Sequence, residues 1–76
     1  MTAEEMFKKL GFIPSNLINK SNIKRYIMKG SYNFVAFYEN KDGTKKIDYK
    51  IGARYNKKQF FREAINQQIK ELGWEE

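Results

Sequence analysis

The chain has 76 residues, enough for one small domain spanning 1–76, and it contains neither Cys nor His. Without those side chains no disulfide, thiolate chemistry, zinc, haem or iron–sulfur site is expected, and no cofactor. Fifteen Lys or Arg against nine Asp or Glu give a net charge of +6, and no apolar run approaches the ~18 residues that span a bilayer.

Thr2-Ala3-Glu4-Glu5 is a capping box, in which the Thr2 hydroxyl accepts from the Glu5 amide and the Glu5 carboxylate reaches back. Met6, Phe7 and Leu10 follow at helical spacing, so a helix is predicted from Ala3 to Leu10. Gly11 suits a left-handed cap, after which Phe12 returns to Phe7. Phe12 to Asn22 reads as a connection, with Pro14 holding Ile13 extended and with Leu17 and Ile18 tucked against the core edge.

Ile23 to Ile51 reads as three strands. Tyr32 to Tyr38 is aromatic and β-branched, and Ile47 to Ile51 alternates apolar with charged residues. Between them Asn40-Lys41-Asp42-Gly43-Thr44 fits a type I turn closed by a Gly bulge. That loop pairs Asn40 with Thr44 and sets Phe37 against Ile47, Val35 against Tyr49 and Asn33 against Ile51, the expected buried face. A two-residue turn at Asp42-Gly43 would instead set Tyr38 against Ile47 and Ala36 against Tyr49, swapping the faces. Ile23 to Met28 is the remaining strand. A second bulged turn at Lys29-Gly30-Ser31 would align Ile23 and Ile27 with the Val35 and Phe37 face. It brings Arg25 to that face too, tolerable on an edge strand whose charged head reaches water.

Gly52 to Tyr55 leaves the sheet, and Asn56 is a good N-cap for a helix from Lys57 to Leu72. Phe61, Ala64, Ile65, Gln68, Ile69 and Leu72 form its apolar stripe, Phe60 lies on the flank, and Gly73 ends it so that Trp74 returns to Ile69. The predicted fold is α+β: helix, three-stranded antiparallel meander, helix, with both helices on one face of the sheet.

No catalytic constellation emerges. Glu4-Glu5 and Glu75-Glu76 are neighbours in sequence and point apart, as helix-start and tail acids do, whereas paired catalytic carboxylates face each other across a cleft. Gly30, Gly43 and Gly52 are isolated turn or strand-end glycines rather than a phosphate loop, and no nucleophile has a His base. The expectation is therefore a protein that is not an enzyme and has no small-molecule substrate.

Charge points to a surface instead. Residues 20 to 62 hold twelve Lys or Arg against three acids, a net +9, whereas the remaining residues hold three Lys and six Glu. A positive central surface favours anionic partners, and it also simply keeps a small domain soluble. With both helices on one side, the other side would carry Lys24, Tyr26, Tyr32, Phe34, Tyr38, Lys46 and Lys50. Such a face fits a protein partner or a homodimer that hides the apolar area. Rings beside ammonium groups equally fit single-stranded nucleic acid, although the RNA-recognition motif is absent. Adsorption to membrane is not expected, because neither helix is basic and amphipathic.

The opening Met1-Thr2-Ala3-Glu4-Glu5-Met6-Phe7-Lys8-Lys9-Leu10-Gly11-Phe12 resembles that of many small uncharacterised phage and prophage proteins of Gram-positive bacteria. The closing Ala64-Ile65-Asn66-Gln67-Gln68-Ile69-Lys70-Glu71-Leu72-Gly73-Trp74 is similar to how those proteins end. The likeness covers about a third of the chain, and its motifs are caps and core faces. It implies an accessory role inside a bacterial host cell, in the cytoplasm, and supplies no catalytic residues. The absence of Cys and of a signal-peptide pattern fits that compartment.

Overall fold

The computed structural model describes residues 1–15 and 22–74, without the side chains of 22 and 23. The expectations for Leu17, Ile18, the side chain of Ile23 and the tail acids Glu75 and Glu76 lie outside the described residues. The element order is α1 (Ala3–Lys9), β1 (Ile13–Pro14), β2 (Asn22–Ile27), β3 (Phe34–Glu39), β4 (Lys45–Lys50) and α2 (Lys58–Glu71). The strands form one antiparallel sheet in the order β1-β2-β3-β4.

The helix ends follow from sequence. The Thr2 hydroxyl accepts from the Glu5 amide at 3.2 Å, and the Thr2 amide donates to Glu5 Oε1 at 2.9 Å. Those bonds hold the Glu5 carboxyl below its usual range. At the other end of α1 the amides of Gly11 and Phe12 donate to the carbonyls of Lys8 and Phe7. This paired closure drives the Phe12 ring edge-on into Phe7, 5.9 Å between centroids. In α2 the amides of Gly73 and Trp74 bond Lys70 and Ile69 in the same way. Its start differs from expectation. Lys57, not Asn56, occupies the N-cap, with no side-chain capping bond, because the first helical bond, from the Phe61 amide, reaches the Lys57 carbonyl.

The sheet has four strands rather than three. The cap after α1 reverses the chain, and Ile13 and Pro14 then lie extended against Ile27 and Tyr26. The Ser15 amide continues the edge by donating to the Arg25 carbonyl at 2.8 Å. A two-residue strand carries no alternation, which is why it read as connection.

The β3–β4 hairpin takes the expected three-residue loop. The Asn40 amide donates to the Thr44 carbonyl, the Gly43 amide donates to the Asn40 carbonyl, and Gly43 has φ +87°. Asp42 Oδ1 accepts from both the amide and the hydroxyl of Thr44, which keeps its carboxyl below the usual value. Phe37 therefore faces Ile47, and Val35 faces Tyr49.

The β2–β3 hairpin does not follow expectation. The Met28 amide donates to the Asn33 carbonyl, so four residues, Lys29 to Tyr32, form the loop instead of three. The extra residue shifts β2 by one position. Tyr26 now pairs with Val35 beneath the helices, while Arg25 and Ile27 pair with Ala36 and Phe34 on the opposite side. Lys24 continues that register opposite Phe37, and an irregularity between Asn22 and Lys24 then sets Asn22 opposite Tyr38.

Both helices cover the side formed by Tyr26, Val35, Phe37 and Tyr49. Phe7 of α1 stacks on Tyr26 with centroids 4.4 Å apart, and Phe61 of α2 meets Tyr49 at 5.7 Å. Ala3, Phe7, Leu10, Phe12, Tyr26, Val35, Phe37, Phe61 and Ala64 form the core. One bond ties the two helices to each other and another ties α2 to the sheet. The Ala3 amide donates to Glu71 Oε2 at 2.7 Å, and the Tyr26 hydroxyl donates to the buried Gln68 amide oxygen.

Candidate binding face

The side of the sheet that neither helix covers is set by the same register. Arg25 and Ile27 of β2, Phe34, Ala36 and Tyr38 of β3, and Lys46, Asp48 and Lys50 of β4 share it. Three cations lie over three rings there. The Arg25 guanidinium is 5.9 Å from the Phe34 centroid, Lys46 Nζ 6.0 Å from Tyr38, and Lys50 Nζ 5.9 Å from Tyr32. Each such pair stabilises an exposed surface by about 0.5–1 kcal/mol. The alkyl stems cover part of the rings, so Phe34 and Tyr38 are half-buried, and Ala36 between them is fully shielded.

Five of the seven expected residues, Tyr32, Phe34, Tyr38, Lys46 and Lys50, belong to this region. The other two are corrected by the four-residue β2–β3 loop. Tyr26 is buried in the core, and Lys24 sits opposite Phe37 on the helix side, where it is exposed. Tyr32 leaves the strand for the loop and is 87% exposed. Arg25 is the residue that sequence reasoning misplaced, since the shorter loop put it beneath the helices. That burial of a guanidinium was itself a signal for the longer loop. Arg25 also donates to the Ser15 hydroxyl at 3.4 Å.

Beside the β2–β3 loop the face deepens into a cleft of about 460 Å³, whose walls include Arg25, Lys29, Lys50, Tyr32 and Phe34. A second concavity, of about 370 Å³, lies between α1 and the start of α2 and is lined chiefly by Met1, Met6, Leu10 and Phe60. Among the described residues no three carboxylates gather where a metal could bind, and no helix is long and apolar enough to cross a membrane.

No family model, curated protein or solved structure matches the chain. Function is therefore argued from this surface alone.

Proposed function

We propose that the chain is a non-catalytic interaction module, an accessory protein of phage or prophage type working inside a bacterial host cell, whose outer sheet face docks an acidic protein partner. The observation that carries this reading is the set of cation–ring pairs on a sheet face that neither helix covers. Rings fixed under guanidinium and ammonium groups offer apolar contact and positive charge at the same spots, the mixture that anchors an acidic surface. A homodimer through this face is disfavoured, because it would bring Arg25, Lys46 and Lys50 of two copies together.

Single-stranded nucleic acid is the second reading, favoured by the cleft that gathers Arg25, Lys29 and Lys50 around the exposed Tyr32 ring. One experiment separates the two. The chain and its Arg25→Glu/Lys46→Glu/Lys50→Glu variant are used to capture partners from host lysate, with and without nuclease. A protein retained by the native chain, lost with the variant and indifferent to nuclease is expected. Nuclease-sensitive retention, with single-stranded oligonucleotide affinity falling steeply as salt rises, would favour the second reading instead. Equal capture by both chains would remove the face from consideration.

A further inference from the structure

The sheet also has an open edge. Among the described residues β4 is the last strand and pairs with β3 alone. The Asn40 amide bonds the Thr44 carbonyl, and bonded pairs recur at every second residue of an antiparallel ladder. Tyr38–Lys46, Ala36–Asp48 and Phe34–Lys50 are then the bonded pairs of this hairpin. The other hairpin agrees: the Met28 amide bonds the Asn33 carbonyl, so Val35 and Phe37 turn their backbone toward β2. The amides and carbonyls of Lys45, Ile47 and Tyr49 consequently point outward from the edge.

What lies along that edge is specific. On the helix side, β4 and α2 leave a groove of about 270 Å³ lined by Tyr49, Ile51, Phe61 and Ile65, with Lys58 and Arg62 also on its wall. On the outer side stand Lys46 and Lys50, with Asp48 between them. Tyr49 is 54% exposed and Ile47 only partly buried, although both face the helix side. Among the described residues the one ion pair is Lys8–Glu4, so none of Lys46, Lys50, Lys58 and Arg62 is matched by a carboxylate.

Resting on the protein-partner reading above, we propose that the partner supplies an extended segment that adds to β4 as a fifth, antiparallel strand. Side chains of an added strand alternate between the two sides. Those opposite Ile47 and Tyr49 lie on the helix side, beside the partly buried Ile47 and over the groove at Tyr49, and are apolar. Those opposite Lys46 and Lys50 lie on the outer side and are acidic, and the one opposite Asp48 is polar. The recognised pattern is acid–apolar–polar–apolar–acid. A second copy does not fit, because its own edge brings four further lysine and arginine groups to this one; the lysines that would repel it attract an acidic strand.

The probe is a short synthetic peptide carrying Glu-Ile-Thr-Val-Glu, compared with its counterpart with Pro in place of Val, the residue opposite Ile47 whose amide would bond the edge. Hydrogen exchange in the free protein should be fast at the amides of Lys45, Ile47 and Tyr49 and slow at Lys46, Asp48 and Lys50. Excess peptide should slow the first set, and the Pro peptide should not. The Tyr49→Pro variant removes one outward donor, leaves the outer face intact and should weaken binding about fivefold. Lys46→Glu with Lys50→Glu should weaken it tenfold or more, and native exchange protection elsewhere in the sheet certifies that each variant is folded. Peptide binding that perturbs Phe34 and Tyr38 without slowing the three edge amides would overturn the added strand while leaving outer-face docking in place. No slowing at saturating peptide, or slowing caused by the protein's own concentration through dimerisation, would overturn it as well.

Discussion

Tyr26 shows how one side chain reports on the whole register. It is 1% exposed, its ring stacks on Phe7, and its hydroxyl donates to Gln68. Burial, then the charges of Glu4 and Glu71, push the hydroxyl up to about 12. In the unfolded chain a tyrosine ionises near its ordinary value of about 10. Below that pH both states hold the proton, and stability does not depend on it. Between about 10 and 12 only the unfolded chain releases it, so stability falls, by at most about 3 kcal/mol for a two-unit difference. Alkaline unfolding followed by far-ultraviolet circular dichroism should show this decline, with phenolate absorbance of one tyrosine appearing only on unfolding. Tyr26→Phe should flatten that part of the profile and cost about 1–2 kcal/mol at neutral pH, because the buried Gln68 oxygen loses its donor. A Tyr26 that ionises near the ordinary value of about 10 in the folded chain would contradict the burial.

At the scale of elements, the parts of the fold that the sequence made legible are those whose local chemistry favours one solution. Asn-Lys-Asp-Gly-Thr left two closures open, and the bulged one, which uses Asn40, Asp42, Gly43 and Thr44 together, set the β3–β4 register and hence the buried positions of Val35 and Phe37. The two Leu-Gly-aromatic endings admit only one. Lys29-Gly30-Ser31-Tyr32 admits two, because Tyr32 is chemically at home in a strand and its removal to the loop depends on what β2 must bury. Tertiary packing decided between a guanidinium and a phenol ring beneath the helices, and chose the ring. The candidate face inherited that error at Lys24, Tyr26 and Arg25, whereas Phe34, Tyr38, Lys46 and Lys50 take the side of the sheet expected of them. The helix closures carry a prediction of their own. Gly11 and Gly73 have φ of +98° and +73°, which side chains with a Cβ adopt at a cost. Space near Gly73 is open, and a Cβ at Gly11 would meet the flexible end of Met28 at 3.4 Å, an ordinary contact. Gly73→Ala should therefore cost about 1 kcal/mol, and Gly11→Ala more, because its φ lies further from the left-handed minimum. In a chain this short each kcal/mol lowers the thermal midpoint by about 4–8 °C. Thermal unfolding that ranked the two in the opposite order would show that the first closure does not hold Phe12 against Phe7.

For the whole molecule, the two sides of one thin sheet do different work. The helix side holds the dry core: Phe7, Phe12, Phe37 and Phe61 are essentially unexposed, and Phe7, Phe12 and Phe61 meet one another there. A chain of this length has a total stability of roughly 4–11 kcal/mol. Phe7→Ala opens a cavity where three other rings meet and should cost about 3–5 kcal/mol, enough to leave a large unfolded fraction at modest urea concentrations. The outer side is wet, and its rings are held by cations that reach solvent. Phe34→Lys there gives up a partly buried ring and one guanidinium contact, and should cost about 2 kcal/mol, less than Phe7→Ala, with the cooperative transition preserved. The contrast matters for function. If the outer rings existed to stabilise the chain, replacing Phe34 would damage folding as Phe7→Ala does. If they exist to meet another molecule, the variant stays folded and loses the contact. Urea denaturation of both variants, read beside partner capture by the folded Phe34→Lys chain, decides between these. Equal destabilisation by the two substitutions would mean that the sheet has two structural faces and that its charge serves solubility alone.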